Sequence, residues 1–317
     1  MNSAARLALY GAGLVVAFGG AFAAAAAVVP DSFVASWAEG SGMNAHGEEH
    51  GGSDVTAAGH VPNGLSIDAA GFVLSPVEAP GAVDAEGELS FRVQTVLGEP
   101  VIEFAEAHEK DLHLIVVRTD GSKFRHVHPS LDRATGTWSL PWKWDAAGAY
   151  RVYADFTPAT EGAESITLTR TVDVAGDFTP VTAELRRAVE VDGFSVSLEG
   201  NLVAGSSSDL TISVNRDGEP VTALEPYLGA FGHLVALREG DLAYLHVHAE
   251  GDEPRAGGTA GPEIGFVAEA PTAGRYLLYF DFQVDGKVHT AEFVIDAAHG
   301  DTHGSGSESH SDEPGGH

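Results

Sequence analysis

Residues His113 to His128 read HLIVVRTDGSKFRHVH, and this stretch decides the fold that we expect. Its first six residues are mostly apolar and β-branched, a composition typical of a β-strand. The pair Asp120-Gly121 is a strong signal for a two-residue hairpin turn. The residues after the turn then return as a second, antiparallel strand, so the stretch predicts a β-hairpin.

The register of this hairpin places three histidines on one face. With a two-residue loop, His113 lies opposite His128, and Ile115 lies opposite His126. Opposed side chains point to the same face, and side chains two residues apart on a strand share that face. We therefore expect the imidazoles of His113, His126 and His128 to converge on one patch. Because Ile115 and Val117 share this face, we expect it to point into the core of a sandwich.

The same signature occurs a second time, displaced by 120 positions. Residues 233–248 read HLVALREGDLAYLHVH, with Gly240-Asp241 at the turn, and supply His233, His246 and His248. Histidine is the commonest metal ligand in proteins, so the duplication predicts two similar three-histidine metal sites. A buried histidine can also serve only as a hydrogen-bonded structural residue, and that alternative stays open.

A fourth ligand is less well defined by the sequence. His289 lies on the last predicted strand of the second copy, and we predict that it joins the second site. His108 precedes the first hairpin and is a weaker candidate because it lies in a loop. Asp155 and Asp281 recur within similar aromatic strands, but alternation puts them on the face opposite the apolar one. We therefore expect both carboxylates to be structural or surface residues.

Composition limits the chemistry. The chain has 17 Lys and Arg against 46 Asp and Glu, a formal net charge of −29, so a nucleic-acid partner is not expected. It has no cysteine, which excludes disulfides, thiolate metal sites and cysteine nucleophiles. Its two methionines, Met1 and Met43, lie outside both repeats. The expected ligand is therefore a divalent ion suited to imidazole, and we predict copper or zinc.

The N-terminal segment is predicted to lead the protein out of the cytoplasm. Residues 7–29 are almost continuously apolar and follow Arg6. This segment is long enough to span a bilayer. Residues 1–30 are therefore interpreted as a single-pass membrane anchor, or alternatively as a cleaved signal peptide of a secreted protein. Residues 31–59 are predicted to be a flexible histidine-bearing linker, and residues 298–317 a disordered histidine-rich tail.

Between these segments the sequence predicts two all-β domains, at residues 60–176 and 177–297. Short apolar strands recur at intervals of about 8–12 residues with Gly and Pro between them, a pattern typical of sandwiches. No amphipathic helix, nucleotide-binding loop or serine triad is evident, so we do not expect an enzyme. The expected fold is a pair of tandem immunoglobulin-like or cupredoxin-like antiparallel β-sandwiches.

The two histidine motifs resemble those of a known group of proteins. The segment from Glu225 to His248, and the segment from His108 to Pro129, are similar to motifs of membrane-anchored, secreted two-domain proteins of actinobacteria, some of which are named heavy-metal-binding. This resemblance implies an exported two-domain β protein. The chain is more distantly similar to periplasmic copper-handling β-sandwiches, but it lacks their N-terminal histidine and methionine ligands.

Three functions follow from these observations. The first is an extracytoplasmic, membrane-tethered protein that sequesters or delivers copper or zinc through the duplicated histidine site. The second is a structural or interaction protein whose buried histidines bind no metal. The third is a pH sensor, because grouped histidines titrate near neutrality and repel one another once protonated. The sequence does not identify a protein partner.

Overall fold

The computed structural model describes residues 63–245, 247–251, 254–255 and 257–300, and these residues fall in one compact unit. They form strands, turns and irregular segments without a helix, which confirms the all-β prediction for this part of the chain. Within it there is accordingly no helix that could cross a membrane. The apolar segment at 7–29, the linker at 31–59 and most of the tail lie outside the described residues.

The first half of the described chain contains ten strands in two sheets. In chain order they are β1 (Asp68–Ala69), β2 (Phe72–Leu74), β3 (Gly87–Thr95), β4 (Phe104–Ala105), β5 (His113–Arg118), β6 (Arg125–Val127), β7 (Ser130–Asp132), β8 (Thr137–Trp142), β9 (Gly148–Pro158) and β10 (Ile166–Val174). One sheet has the order β1-β2-β3-β8-β7, and the other has the order β10-β9-β5-β6, with β4 attached to β9. A single hydrophobic cluster draws residues from both sheets, so the two sheets form a sandwich.

The second half repeats this architecture. Its strands are β11 (Ala188–Val191), β12 (Phe194–Gly200), β13 (Leu202–Val203), β14 (Ser207–Arg216), β15 (Glu219–Pro220), β16 (His233–Arg238), β17 (Tyr244–Leu245), β18 (Val247–Ala249), β19 (Glu263–Glu269), β20 (Gly274–Val284) and β21 (Lys287–Ala298). The sheets have the orders β11-β12-β14-β19-β18, with β15 beside β14, and β13-β21-β20-β16-β17. They enclose their own hydrophobic core and form the second sandwich.

The first hairpin forms in the predicted register. Strands β5 and β6 are antiparallel, and Ile115 pairs with His126 as predicted. The ladder ends at the pair of Leu114 with Val127, so His113 and His128 lie just beyond its last rung. After His128 the chain crosses to the opposite sheet, where β7 pairs with β8.

Strand β5 is buried on both of its faces, and this corrects one prediction. Leu114 and Val116 point into the core of the first sandwich. Ile115 and Val117 instead join a third cluster that also contains Val235 and Leu237 of the second sandwich. The prediction that the histidine-bearing face looks into its own core is therefore wrong, because a second sandwich covers that face.

The contacts between the two sandwiches are reciprocal. The hydroxyl of Tyr153 donates to Leu242 O across the interface at 2.6 Å, and the hydroxyl of Tyr279 donates to Gly121 O at 2.5 Å. Each acceptor lies in the hairpin turn of the other sandwich. In addition, Phe124 stacks on Tyr279 with ring centroids 4.0 Å apart. Equivalent surfaces therefore meet in the manner of a two-fold dimer, although both belong to one chain.

The segment between the sandwiches is held to both of them. The amide of Val181 donates to Asp120 of the first sandwich, and the guanidinium of Arg118 lies 5.0 Å from the ring of Phe178. Farther along, Ala183 O accepts a hydrogen bond from Arg275 of the second sandwich. These contacts fix the path of the chain as it passes from one sandwich to the other.

Candidate metal centre

Three histidines of the first sandwich converge beside the interface, and we call them the triad. Each of His113, His126 and His128 offers one ring nitrogen to a group whose members lie within 4.8 Å of one another. The Nδ1 of His113 lies 3.1 Å from Nε2 of His126 and 3.1 Å from Nε2 of His128. Two nitrogens bound to one tetrahedral zinc ion at about 2.0–2.1 Å would lie about 3.3 Å apart, so both of these separations are already close to that spacing.

The outward-facing nitrogens of two triad rings are engaged by oxygen acceptors. His113 Nε2 lies 3.0 Å from Ala107 O, and His126 Nδ1 lies 2.9 Å from Oδ2 of Asp281. A carbonyl or a carboxylate only accepts, so these ring nitrogens must be the ones that carry hydrogen. In the neutral rings the inward-facing Nδ1 of His113 and Nε2 of His126 then carry lone pairs.

In fully neutral rings these two lone pairs would face each other. His128 can donate from Nε2 to His113, but no hydrogen of the neutral rings remains for the 3.1 Å contact between His113 and His126. A cation between the two nitrogens, either a proton or a metal ion, resolves this contact. With a proton the three rings form a closed hydrogen-bond network, and with a metal ion the same nitrogens form a ligand set.

Burial keeps two of the rings in the neutral form that binds metal. Desolvation, and then the neighbouring imidazole of His126, lower the pKa of His113 to about 3. The same two causes, followed by His113, lower the pKa of His128 to about 3. Both rings are thus uncharged at neutral pH. Because a metal ion must compete with protons for imidazole nitrogen, these rings do not have to lose a proton when they bind.

A pair of matching turns orients one histidine in each sandwich. His108 and Glu109 both have positive φ, as do Leu228 and Gly229, each displaced by 120 positions. In each turn the residue before this pair, Ala107 or Tyr227, offers its carbonyl to a ring. Ala107 O accepts from His113, and Tyr227 O accepts from His233 Nε2 at 2.7 Å. The repeat therefore includes the turn that holds the histidine, in addition to the histidine itself.

His233 and His108 lie around the triad. The ring of His233 is 6.2 Å from that of His126 and 5.3 Å from that of His108, measured between centroids. Burial is the first cause that lowers the pKa of His233 to about 4. These rings, together with His113, line a cavity of about 560 Å³. A second cavity of about 550 Å³ is lined by His126 and His128, so the triad borders two cavities.

The second hairpin departs from the prediction. It begins in the expected register, with Leu237 opposite Tyr244, but its second strand ends at Leu245. The backbone of His248 then belongs to β18, which pairs with β19 of the opposite sheet, and His248 lies opposite Val267. The predicted pairing of His233 with His248 is therefore wrong. His246 and the side chain of His248, two of the predicted ligands of the second site, lie outside the described residues.

His289, the predicted fourth ligand, has a different environment. It is buried in the second sandwich, and its ring lies 4.8 Å from that of Phe194 and 5.3 Å from that of Phe282. Its Nδ1 donates to Asp192 at 2.8 Å. None of these partners is a member of the triad. The weaker candidate, His108, does lie beside a triad ring, with its ring centroid 6.0 Å from that of His113.

Asp281 belongs to the candidate site, although the sequence predicted a structural or surface residue. Alternation places it correctly on the face opposite Phe280 and Phe282, and that face was expected to meet solvent. Instead it meets the first sandwich, and only 2% of Asp281 is exposed. Thr290 donates to its Oδ1 at 2.6 Å, which leaves Oδ2 for His126. The signal in the sequence was the recurrence of Asp155 and Asp281, which in the structure lie opposite His113 and His233, the first histidines of the two hairpins.

Comparison with known proteins identifies a repeated domain. A family model described as Domain of unknown function (DUF8832) matches the chain twice, over residues 67–176 and 189–299. None of the curated proteins matches the chain.

Solved structures share only a loose similarity with the chain. The FdeC adhesin of Escherichia coli is 16% identical with a TM-score of 0.23, and the match covers 74% of this chain and 66% of that one. An alpha-2-macroglobulin of Salmonella is 14% identical with a TM-score of 0.24, covering 75% and 15%. A protein of Corynebacterium diphtheriae described as membrane anchored is 10% identical with a TM-score of 0.21, covering 71% and 58%. The chain thus spans less than two thirds of each, and similarity at this level does not bear on the site.

Proposed function

The chain belongs to the DUF8832 domain family, of which it carries two copies, and we propose that it binds a zinc or copper(II) ion at the triad. The observation that carries this proposal is the convergence of three ring nitrogens within 4.8 Å of one another, two of them, on His113 and His126, only 3.1 Å apart. Burial of the rings and the oxygen acceptors behind them support it further. Three imidazoles without a thiolate suit zinc or copper(II).

We also propose that this metal-binding body is tethered outside the cytoplasm. The support is the apolar segment at 7–29 with Arg6 on its N-terminal side. In that position the protein would sequester an ion or deliver it to another protein at the membrane. The surplus of acidic groups, 46 against 17 basic ones, would raise the local concentration of divalent cations. The proposed role is binding, without catalysis.

Calorimetric titration of the purified full chain with Zn²⁺ and with Cu²⁺ tests the proposal. The starting protein carries Ser in place of His299, His303, His310 and His317, so that the histidines of the tail do not contribute. We expect a site of micromolar affinity or tighter that is lost in the His128→Ala variant. His289→Gln serves as the matched control, because His289 is a buried, carboxylate-bound histidine outside the triad. The affinity of the His289→Gln variant for the metal should stay within about twofold of that of the starting protein.

The stoichiometry separates the structural arrangement from the duplicated one that the sequence predicts. One ion per chain, lost with His128, assigns binding to the triad alone. Two ions per chain, one of them lost with His246→Ala/His248→Ala, would give the second hairpin its own site. If neither metal binds, a proton bridges His113 and His126, and the histidines are structural residues of the interface.

A further inference from the structure

We infer that the second sandwich is a working part of the metal site, so that metal binding at the triad and docking of the two sandwiches are coupled. This inference rests on the proposed function and goes beyond it. All three triad histidines belong to the first sandwich, and a site within that sandwich would not need the other half of the chain. The contacts around the triad indicate that the site does depend on the second sandwich.

The first contact is the one made by Asp281. This carboxylate belongs to β20 of the second sandwich and fixes the hydrogen of His126 on Nδ1. Without it, His126 is free to carry its hydrogen on Nε2, the nitrogen that faces His113. Thr290, on the neighbouring strand of the second sandwich, holds the carboxylate in place. Asp281 is thus a positioning residue that acts on the metal through His126.

The second contact involves the turn that orients His113. A Cβ placed on Gly229 of the second sandwich would lie 3.8 Å from Cγ of Glu109 and 3.9 Å from Cα of His108. The two matching turns therefore pack against each other. Because Ala107, at the start of the first turn, accepts from His113, the second sandwich also supports this ligand. Two of the three triad rings are positioned by groups that belong to the second sandwich or contact it.

The interface between the sandwiches is the element through which coupling is transmitted. Ile115, whose side chain packs in this interface, pairs directly with His126 in the β5–β6 ladder. Separation of the sandwiches would expose this apolar surface and remove Asp281 from His126 in the same step. Coupling of this kind is reciprocal, so the metal must stabilise docking by the same factor by which docking strengthens metal binding.

A charged residue placed in the interface tests the inference. Leu237 is fully buried in the interface cluster and lies on the face of β16 that points away from the core of its own sandwich. In the full chain, Leu237→Glu should separate the sandwiches, seen as an increased radius of gyration in small-angle scattering. We expect it to weaken Zn²⁺ binding by about 10–100-fold, the range for loss of a residue that orients a metal ligand. Leu97→Glu, at a residue 83% exposed, adds the same charge and should change nothing.

Hydrogen exchange of the unsubstituted protein provides the second measurement, which does not depend on a variant. Saturating Zn²⁺ should slow exchange in the peptides that contain Gly121 and Tyr279, at the interface contact. The expected factor approaches the ratio of the Zn²⁺ affinity of the docked sandwiches to that of the separated sandwiches. An unchanged exchange rate, or a Zn²⁺ affinity within twofold of normal in separated Leu237→Glu protein, would overturn the inference and leave the triad as a site of the first sandwich alone. Absence of Zn²⁺ binding to the unsubstituted chain would instead overturn the proposed function, and the inference with it.

Discussion

The Nδ1 of His126 lies 2.9 Å from Oδ2 of Asp281, although these two residues belong to different sandwiches and are 155 positions apart in the chain. Their side chains are 5% and 3% exposed, so water does not compete for this hydrogen bond. A carboxylate behind a metal-binding imidazole fixes the ring and makes its free nitrogen a better ligand. This relationship provides the first prediction.

Replacement of Asp281 by Asn should weaken metal binding without abolishing it. We expect the Kd for Zn²⁺ to rise by about 10–100-fold, since the triad remains but His126 loses its anionic acceptor. Calorimetry of the full chain measures the change. Asp192→Asn is the matched control, because Asp192 accepts in the same way from His289, outside the triad. Equal affinities in the two variants would show that Asp281 does not act through His126.

A second prediction concerns the buried ion pair behind the first hairpin turn. Asp120 accepts from both Nε and the terminal nitrogen of Arg118, and these side chains are 6% and 7% exposed. Replacement by Asn leaves a buried guanidinium without its charge partner, and we expect the free energy of unfolding at pH 7 to fall by about 3 kcal/mol. Urea denaturation measures this loss. The control, Asp145→Asn, removes an exposed partner of Arg125 and should cost less than about 1 kcal/mol.

The Asp120 pair also has a defined pH dependence. Burial raises the pKa of this carboxyl, but hydrogen bonds from Arg118, Val181 and Ser122 outweigh burial and lower it to about 2. A folded-state pKa below the usual value of 3.8 contributes stability that is present above pH 3.8 and lost as the pH falls through about 2. The difference between the native and Asn forms should therefore stay constant from pH 7 to about 5 and shrink below about 4. A difference that grows on acidification would contradict this assignment.

A third prediction uses two glycines with nearly the same backbone conformation. Gly121 has φ of +81° and Gly98 has φ of +83°. A Cβ on Gly121 would lie 2.3 Å from Cδ1 of Leu277 across the interface, whereas a Cβ on Gly98 would meet nothing within 4 Å. Gly98→Ala should cost about 1–2 kcal/mol of stability, from strain alone. Gly121→Ala should cost about 2–4 kcal/mol, because overpacking is added. Thermal unfolding of both variants measures the difference, and equal costs would mean that Leu277 moves aside freely.

A fourth prediction compares a tyrosine hydrogen bond across the interface with one inside a single sandwich. Tyr279 donates to Gly121 O across the interface, whereas Tyr276 donates to Thr272 O within the second sandwich at 2.8 Å. Both Phe variants should lose about 1 kcal/mol of stability, the usual contribution of one hydrogen bond. Only Tyr279→Phe should speed amide exchange in the first hairpin turn, which hydrogen exchange by mass spectrometry measures. Faster exchange there in Tyr276→Phe as well would mean that the two sites are not independent.

Local pattern was sufficient to predict the strands and one hairpin. Alternation and the Asp120-Gly121 turn predicted the pairing of Ile115 with His126, because a two-residue loop leaves one register. The convergence of His113, His126 and His128 follows from that register and was also predicted. These features depend on contacts between residues that are close in sequence.

What covers a strand face was not predictable in the same way. Alternation states that Ile115 and His126 share a face, but it does not distinguish a core from an interface with another sandwich. The same limit hid Asp281, which lies on a face that a single sandwich would leave in water. In the second copy, β17 ends at Leu245 and the chain crosses sheets earlier than after His128. No turn residue in the sequence marks that crossing, so the duplicated motif predicted a duplicated pairing.

The reciprocal interface has a consequence that depends on its being built within one chain. In a dimer of identical subunits, assembly falls off on dilution, and any substitution appears on both sides of the axis. Here the connection at residues 177–187 makes association intramolecular, so docking of the two sandwiches does not depend on the concentration of the chain. Each half is also free to specialise. The first half supplies the imidazoles of the triad and the second supplies Asp281, so a substitution in one half changes one side of the interface and leaves the other side as it was.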